Sequence, residues 1–276
     1  MNGKTCLVTG ATSGIGKATA RGLAGLGAHV LVHGRDREKC ERVVQAITAE
    51  TGNNSVVPIL ADFRSLADVR AMAEHVNSTV QRLDVLVNNA GTMTPGRRLT
   101  SEGLDETFAV NHLAPFLLTN LLLPKIKACR PARIVNVSSM LHRMARLNLS
   151  DLPVEGPHDW MRGYNRSKLA LVLFTRSLAR RLAGSGVVAN SLHPGAVRSR
   201  EPSGWSGRLL AHTLLRFMLS PDDGARTSLF LATSPEAAEV SGLYFTKCAP
   251  VAASRNALAD DVAERLWEVS AKLTDC

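Results

Sequence analysis

Tyr164-Asn165-Arg166-Ser167-Lys168 sets a phenol and an ammonium four residues apart, which on a helix puts both on one face with Cβ atoms about 5 to 6 Å apart. The two can share a ligand. A free phenol titrates at about 10, so it is a poor acid or base at neutral pH unless a nearby positive charge stabilises its phenolate. Lys168 supplies such a charge, although the same spacing is common on plain helix surfaces. A second chemical stretch is Thr9-Gly10-Ala11-Thr12-Ser13-Gly14-Ile15-Gly16. Glycine lacks a Cβ, so the backbone can take positive φ and approach a ligand closely, and the free N–H groups of a following helix favour a phosphate. The spacing Gly-x-x-x-Gly-x-Gly is wider in its first interval than the usual dinucleotide fingerprint, so the mechanism carries over rather than the letters.

The elements that must position these groups alternate along the chain. Thr5-Cys6-Leu7-Val8 reads as a strand leading through the glycines into a helix. His29 to His33 is a second strand, and Asp36 caps a helix through about Thr51 with Glu38 in its first turn. Val56 to Leu60, a helix from Ser65 to Gln81, and Asp84 to Val87 follow, the last ending in Asn88-Asn89-Ala90-Gly91. A long helix is predicted from about Leu104 through Leu123, with Pro115 and Pro124 signalling a kink or early stop. Arg133 to Val137 is a strand stopping at Ser138-Ser139, and Met140 to Arg162 a long loop with room for a helical turn. The helix beginning near Tyr164 ends at Gly184 and Gly186. Val187 to Leu192 leads into His193-Pro194-Gly195. Pro221 and Asp222 open a helix to Thr233, Leu243-Tyr244-Phe245 is a short strand, and Asp260 to Leu273 a terminal helix. This alternation predicts a single α/β domain over residues 1–276. Its core is a doubly wound, Rossmann-type parallel sheet of about seven strands with helices on both faces and ligands outside the carboxyl ends of the strands.

Composition narrows the partners. With 276 residues, 45% hydrophobic and 21% charged, the chain can bury a core unaided. Cys6, Cys40, Cys129, Cys248 and Cys276 form no Cys-x-x-Cys pair and no metal-ligand spacing, so they read as reduced thiols, with no metal expected. Met1-Asn2-Gly3-Lys4 runs straight into the first strand, and no apolar stretch approaches the roughly 18 residues of a membrane span. The expectation is a cytoplasmic protein without an integral membrane segment. The net charge of +9 is scattered, without a recognition-helix, zinc-finger or aromatic RNA-binding pattern, so no nucleic-acid partner is expected. The charge does favour anionic cofactors.

Taken together, Thr9-Gly10-x-x-x-Gly14-x-Gly16, Asn88-Asn89-Ala90-Gly91, Asn111, Ser139, Tyr164-x-x-x-Lys168 and Pro194-Gly195 occur in the order found in the short-chain dehydrogenases/reductases. The resemblance covers nearly the whole chain. Asn111-His112-Leu113, Ile134 to Ser139, Ser191-Leu192-His193-Pro194-Gly195 and Arg265-Leu266-Trp267-Glu268-Val269-Ser270 resemble the retinol-dehydrogenase-like branch in particular. Members of that branch often carry an N-terminal membrane anchor, which this sequence does not display.

The resemblance implies a hydride transfer between a nicotinamide cofactor and an alcohol or carbonyl carbon. Tyr164 would exchange the proton at the substrate oxygen, with Ser139, rather than the competing Ser138, donating a hydrogen bond to that oxygen. Lys168 would also hold the cofactor ribose, and Asn111, in a helix interior that suits Asn poorly, a water linking Lys168 to solvent. His193 is then a structural histidine at a strand end. Gly10, Thr12, Ser13, Gly14, Ile15 and Gly16 would form the phosphate turn, and Asn89, Ala90 and Gly91 would support it and the neighbouring ribose. Asp62 and Phe63 would flank the adenine, and Pro194, Gly195, Val197 and Ser199 the nicotinamide amide. Gly34 stands where an acid would bind a ribose 2′-OH, and Arg35 follows it, aided by Lys17 or Arg37; this favours NADP(H), with NAD(H) as the weaker alternative. The loop between Ser139 and Tyr164 is an insertion beside the site. A segment at about 198–220, with Trp205, Leu209, Leu210, Leu214, Leu215, Phe217 and Met218 on one stripe, would cover a lipophilic alcohol, aldehyde or ketone. The rival reading is a non-catalytic cofactor-sensing protein on the same fold. Monomer and homo-oligomer both remain open.

Overall fold

The computed structural model describes residues 1–96, 98–149, 160–197 and 218–276. Apolar runs without polar alternation suit strands buried on both faces, and seven such strands pair in parallel. They are β1 (Thr5–Val8), β2 (His29–Gly34), β3 (Val56–Leu60), β4 (Val85–Asn88), β5 (Ala132–Val137), β6 (Val187–His193) and β7 (Tyr244–Thr246), in the order β3-β2-β1-β4-β5-β6-β7. An eighth strand, β8 (Ala249–Val251), closes the edge antiparallel to β7. It gave no signal in the sequence because it has three residues and carries Pro250, which only an edge strand tolerates.

Alternation sorts the core into two layers. Leu7, Leu31, Leu86 and Ile134 pack on one face with α3 (Leu66–Thr79), α5 (Ala114–Ala128) and α6 (Trp160–Arg181). Val8, Val30, Val32, Val87 and Val135 pack on the other with α1 (Gly14–Gly25), α2 (Arg37–Thr51) and α7 (Pro221–Thr233). The chain order reverses between β1 and β4, which opens a crevice at their carboxyl ends. Among the described residues no helix is long and apolar enough to cross a membrane.

The long helix expected from Leu104 to Leu123 is instead three pieces. A single turn α4 (Glu106–Phe108) is capped by Asp105, whose carboxylate accepts from the Phe108 amide at 2.8 Å. A π-turn over Ala109–Leu113 follows, its wider spacing shown by the Ala114 amide donating to the Ala109 carbonyl, and then α5. Pro115 accounts for the break in pattern: it has no N–H to offer the Asn111 carbonyl four residues back. Pro124 does not stop α5, which continues to Ala128. The terminal helix α8 (Asp260–Thr274) lies on α6, with the Trp267 ring 5.0 Å from Phe116 and the Arg181 guanidinium 4.1 Å above it.

Candidate active site

The glycine turn is shaped by what surrounds each glycine. Gly10 has φ +61°, and a Cβ there would lie 2.7 Å from Ala90 Cα; one on Gly16 would lie 2.3 Å from the Gly10 carbonyl oxygen. Gly14 has φ +53° but nothing within 4 Å of its missing Cβ, so this side of the turn is open. Behind it, Ser13 makes no side-chain cap and the first turn of α1 has no acid, whereas α2, α3 and α7 each have a capping side chain and an acid there. The first-turn amides of α1 are thus left for an anion. Asn89 braces the turn from β4, its Nδ2 donating to the carbonyls of Thr9 at 2.8 Å and Gly10 at 3.2 Å. The Thr9 hydroxyl accepts from the amides of Asn89 and Ala90. His33, which the sequence did not mark, accepts from the Gly10 amide at Nδ1 (3.1 Å), leaving Nε2 to donate to the Ala61 carbonyl (3.1 Å). Burial pushes its pKa down to about 4, so the ring stays neutral in that role.

At the end of β2 a hollow of about 600 Å³ is lined by Arg35, Asp36, Arg37, Glu38, Asp62 and Arg64. Asp36 faces back to cap α2, accepting from the Lys39 amide at 3.1 Å. A side chain on Gly34 would meet Thr12 Cγ2 at 2.4 Å and Cys40 Sγ at 2.8 Å, so no acid fits there. Asp62 is clasped by Arg64, whose Nε lies 3.1 and 3.0 Å from its two oxygens; this hydrogen bond holds the carboxyl below its usual range. Arg64 is the group that spacing could not reveal. Phe63 lines the core rather than the hollow: it is 4% exposed and its ring stacks on His33 at 4.3 Å. Its ring is therefore not on the surface of the hollow.

Across the crevice, β5 ends at two serines with different duties. The buried Ser138 hydroxyl donates to the Lys168 carbonyl at 2.8 Å, whereas the Ser139 hydroxyl caps the following 3-10 turn and is close enough to Tyr164 to favour its phenolate. Lys168 Nζ donates to the Val137 carbonyl at 3.0 Å and lies 5.7 Å from the centre of the Tyr164 ring. Lys168 is 4% exposed, and burial pushes its ammonium down to about 8. The expected depression of the phenol is absent in the protein alone: burial raises Tyr164, and the Ser139 hydrogen bond only partly opposes it. Asn111 is fully engaged. Its Oδ1 accepts from the Thr92 amide at 2.7 Å, and its Nδ2 donates to the Thr92 carbonyl and to Ser167 Oγ, both at 2.9 Å. Ser167 in turn donates to the Tyr164 carbonyl at 2.8 Å. A Cβ on Gly91 would lie 3.3 Å from Lys168 Nζ and 3.4 Å from Asn111 Oδ1, so a side chain there would press on these two groups.

Gly195 (φ +94°) turns the chain after β6 beneath Leu219, and Val197 bridges to Leu219. Val197 Cγ2 and Ile15 Cγ1 converge on Gly224, at 2.5 and 3.1 Å from its missing Cβ. Ser199 and the apolar stripe from Trp205 to Phe217 lie outside the described residues. His193 is half-buried, and its Nδ1 has no partner among the described residues. No cluster that could hold a metal occurs among the described residues.

An open glycine turn at the switch point of a doubly wound sheet defines a dinucleotide-binding α/β protein. The chain belongs to the short-chain dehydrogenase family, in its retinol-dehydrogenase-like branch, and is an enzyme of that family, which works with nicotinamide cofactors. The short chain dehydrogenase family model matches residues 4–202. The chain is 42% identical over 279 residues to human retinol dehydrogenase 13, covering 98% of this chain and 84% of that protein. It is similar to the crystal structure of an uncharacterized protein from Mycobacterium paratuberculosis, with TM-score 0.80, 35% identity, and 99% and 94% of the two chains covered. A short chain dehydrogenase from Burkholderia cenocepacia in complex with NADP is also similar, with TM-score 0.71, 29% identity, and 94% and 99% covered.

Proposed function

We propose that the protein is an NADP(H)-dependent reductase of lipophilic aldehydes or ketones, with Ser139, Tyr164, Lys168 and Asn111 as its working set. The observation that carries this reading is the convergence of Ser139, Tyr164 and Lys168 at the end of β5: the Lys168 ammonium lies 5.7 Å from the Tyr164 ring, and Ser139 stands close enough to act on the phenol. It sits at the same edge of the sheet as the open side of Gly14. The bound nicotinamide supplies the hydride. Gly10, Thr12, Ser13, Gly14, Ile15 and Gly16 hold its diphosphate; Asn89, Ala90, Gly91, Tyr164 and Lys168 hold the ribose side; and Pro194, Gly195, Val197 and Ser199 hold the amide. A phenol kept above its ordinary pKa is protonated at neutral pH, which suits it to give a proton to a carbonyl oxygen as charge builds there. Ser139 donates to the same oxygen. Because the Asn111 side chain is occupied, its water role passes to its main-chain carbonyl, for which Pro115 offers no N–H.

The preference for NADP(H) is supported by the hollow at β2, where Arg35 is exposed and Gly34 leaves no room for an acid. The likeness to a protein solved with NADP agrees with it. A lipophilic substrate is supported by Met93, Met140 and Leu219, which are 44%, 54% and 39% exposed near Gly91, Ser139 and Gly195. The similarity to a protein named as a retinol dehydrogenase points the same way. The test is NADPH oxidation with straight-chain aldehydes from butanal to decanal. Burial of each CH₂ at ~0.8 kcal/mol predicts kcat/KM rising up to about fourfold per methylene until the pocket fills. A flat or falling series would remove the lipophilic reading.

A further inference from the structure

The two branch-specific motifs Asn111-His112-Leu113 and Arg265 to Ser270 are 158 residues apart at their joint, yet they meet: His112 Nε2 lies 2.8 Å from Ser270 Oγ. Both residues are buried, at 0% and 1% exposure. The His112 ring is walled by Phe108 at 5.0 Å and by Phe116 and Phe174 at 6.2 Å each, and its Nδ1 has no partner among the described residues. Ser270 is therefore the group that fixes how this ring sits. His112 lies in the π-turn directly after Asn111, whose amide holds the Thr92 backbone on one side and Ser167 on the other. Ser167 adjoins Lys168 and bonds the Tyr164 carbonyl.

We infer that Ser270 of the terminal helix is a positioning residue for the reaction: by holding His112 it fixes the π-turn and so aims the Asn111 amide at Thr92 and Ser167. This rests on the catalytic reading of Tyr164, Lys168 and Asn111 proposed above. The π-turn gives this contact its purpose. Its wide spacing gives up the regular α pattern that would otherwise set the rotation of Asn111, so a contact from outside must set it. The helix α8 is a firm base for that contact. Glu264 pairs with Arg180 and Arg181 of α6 at 2.6 Å each, and Trp267 packs between Phe116 and Phe174. Titration of His112 plays no part, because burial holds its pKa at about 3.

The test compares Ser270→Ala, Ser270→Thr and Trp267→Phe. Ser270→Ala is expected to lower kcat roughly 3- to 10-fold with both KM values held within about twofold, the size of a coupling carried through a packed network. The kcat–pH limb belonging to Tyr164 moves by about half a unit or more, as the charge beside the phenol is displaced. Exchange of the Thr92 amide proton, which Asn111 protects, quickens by about tenfold in the protein without ligand. Ser270→Thr keeps the hydroxyl and restores all three. Trp267→Phe loosens the same helix without touching the hydrogen bond, so it lowers Tm and leaves the pH limb and Thr92 exchange alone. His112→Phe puts a slightly larger ring without a hydrogen-bonding nitrogen in this place and reproduces Ser270→Ala, with no further loss in the double variant. The inference is overturned by wild-type kcat, pH limb and Thr92 exchange in Ser270→Ala, or by Trp267→Phe giving the same three changes. An active Tyr164→Phe would sink the catalytic reading itself, and Thr92 exchange would still decide whether Ser270 holds the turn.

Discussion

Lys168→Met should make the protein more stable and nearly inactive, and the gain should vanish in alkali. Burial takes the Lys168 ammonium from its ordinary 10.5 to about 8, a cost of roughly 3 kcal/mol at about 1.4 kcal/mol per pH unit. Met has similar length and no charge, and it gives up one hydrogen bond to the Val137 carbonyl, a loss of about 1 kcal/mol. The net expectation at pH 7 is a gain of about 2 kcal/mol, or roughly 5 °C in Tm for a chain of this size. The sign follows from linkage. Between the folded value of about 8 and the unfolded 10.5, the unfolded chain holds the proton that the folded protein has released, so the wild type recovers stability as pH rises. At pH 9.5 the recovered part is about 2 kcal/mol, which erases the advantage of the variant. Urea unfolding of both proteins at pH 7 and 9.5 measures this directly, alongside turnover at pH 7. A variant less stable than wild type at pH 7, or one whose gain is the same at both pH values, would refute the buried-charge reasoning.

The other expectations concern individual parts of the site. Tyr164→Phe should leave cofactor affinity within a few-fold while turnover falls by roughly 100-fold or more, the scale of a lost general acid; near wild-type reduction of aldehydes would end that assignment. Arg35→Ala should weaken NADPH about 10-fold and leave NADH unchanged, a charge-assisted contact discounted for its exposure, with paired dissociation constants as the check. Removing the guanidinium in Arg64→Ala frees the Asp62 carboxylate to face a 2′-phosphate, so NADPH should weaken more than NADH, and equal losses would count against that placement. Gly16→Ala should prevent folding, because its Cβ would lie 2.3 Å from the Gly10 carbonyl oxygen. Gly14→Ala, with open space around it, should fold at a cost of about 1 to 2 kcal/mol for its left-handed backbone and lose cofactor affinity, as calorimetry of both variants would show.

The parts of this protein that were legible in the sequence are those governed by neighbours along the chain. Asp36 as a cap, the helix from Pro221 to Thr233, and the strand runs that end in Asn88 and Val137 are local matters of propensity, capping and period. The helix around Asn111 was misjudged because periodicity alone does not distinguish an α-turn from a π-turn. Pro115 signals a kink or early stop, and it stands in the first turn of α5 directly after the π-turn, whereas Pro124 lies inside a helix that continues to Ala128. Phe63 shows a different limit. Its position after β3 is as expected, but whether its ring turns to the hollow or to the core depends on His33, 30 residues upstream and one strand over.

Partners of that kind also decide what the titratable groups do. From spacing alone, Lys168 should lower the Tyr164 pKa; in the structure both groups are buried, and burial acts on each separately, raising the phenol and lowering the ammonium. The pair therefore rests as a protonated phenol beside an ammonium held near its own titration range. A phenolate formed at Tyr164 when its proton leaves would lie beside that ammonium, so the charge created there would be partly balanced. It also places the cost of activity on one residue, because a buried charge with one hydrogen bond destabilises the fold that carries it. Removing Lys168 should thus separate stability from turnover, whereas removing Tyr164 or Ser139, which are neutral at pH 7, should cost turnover with little return in stability.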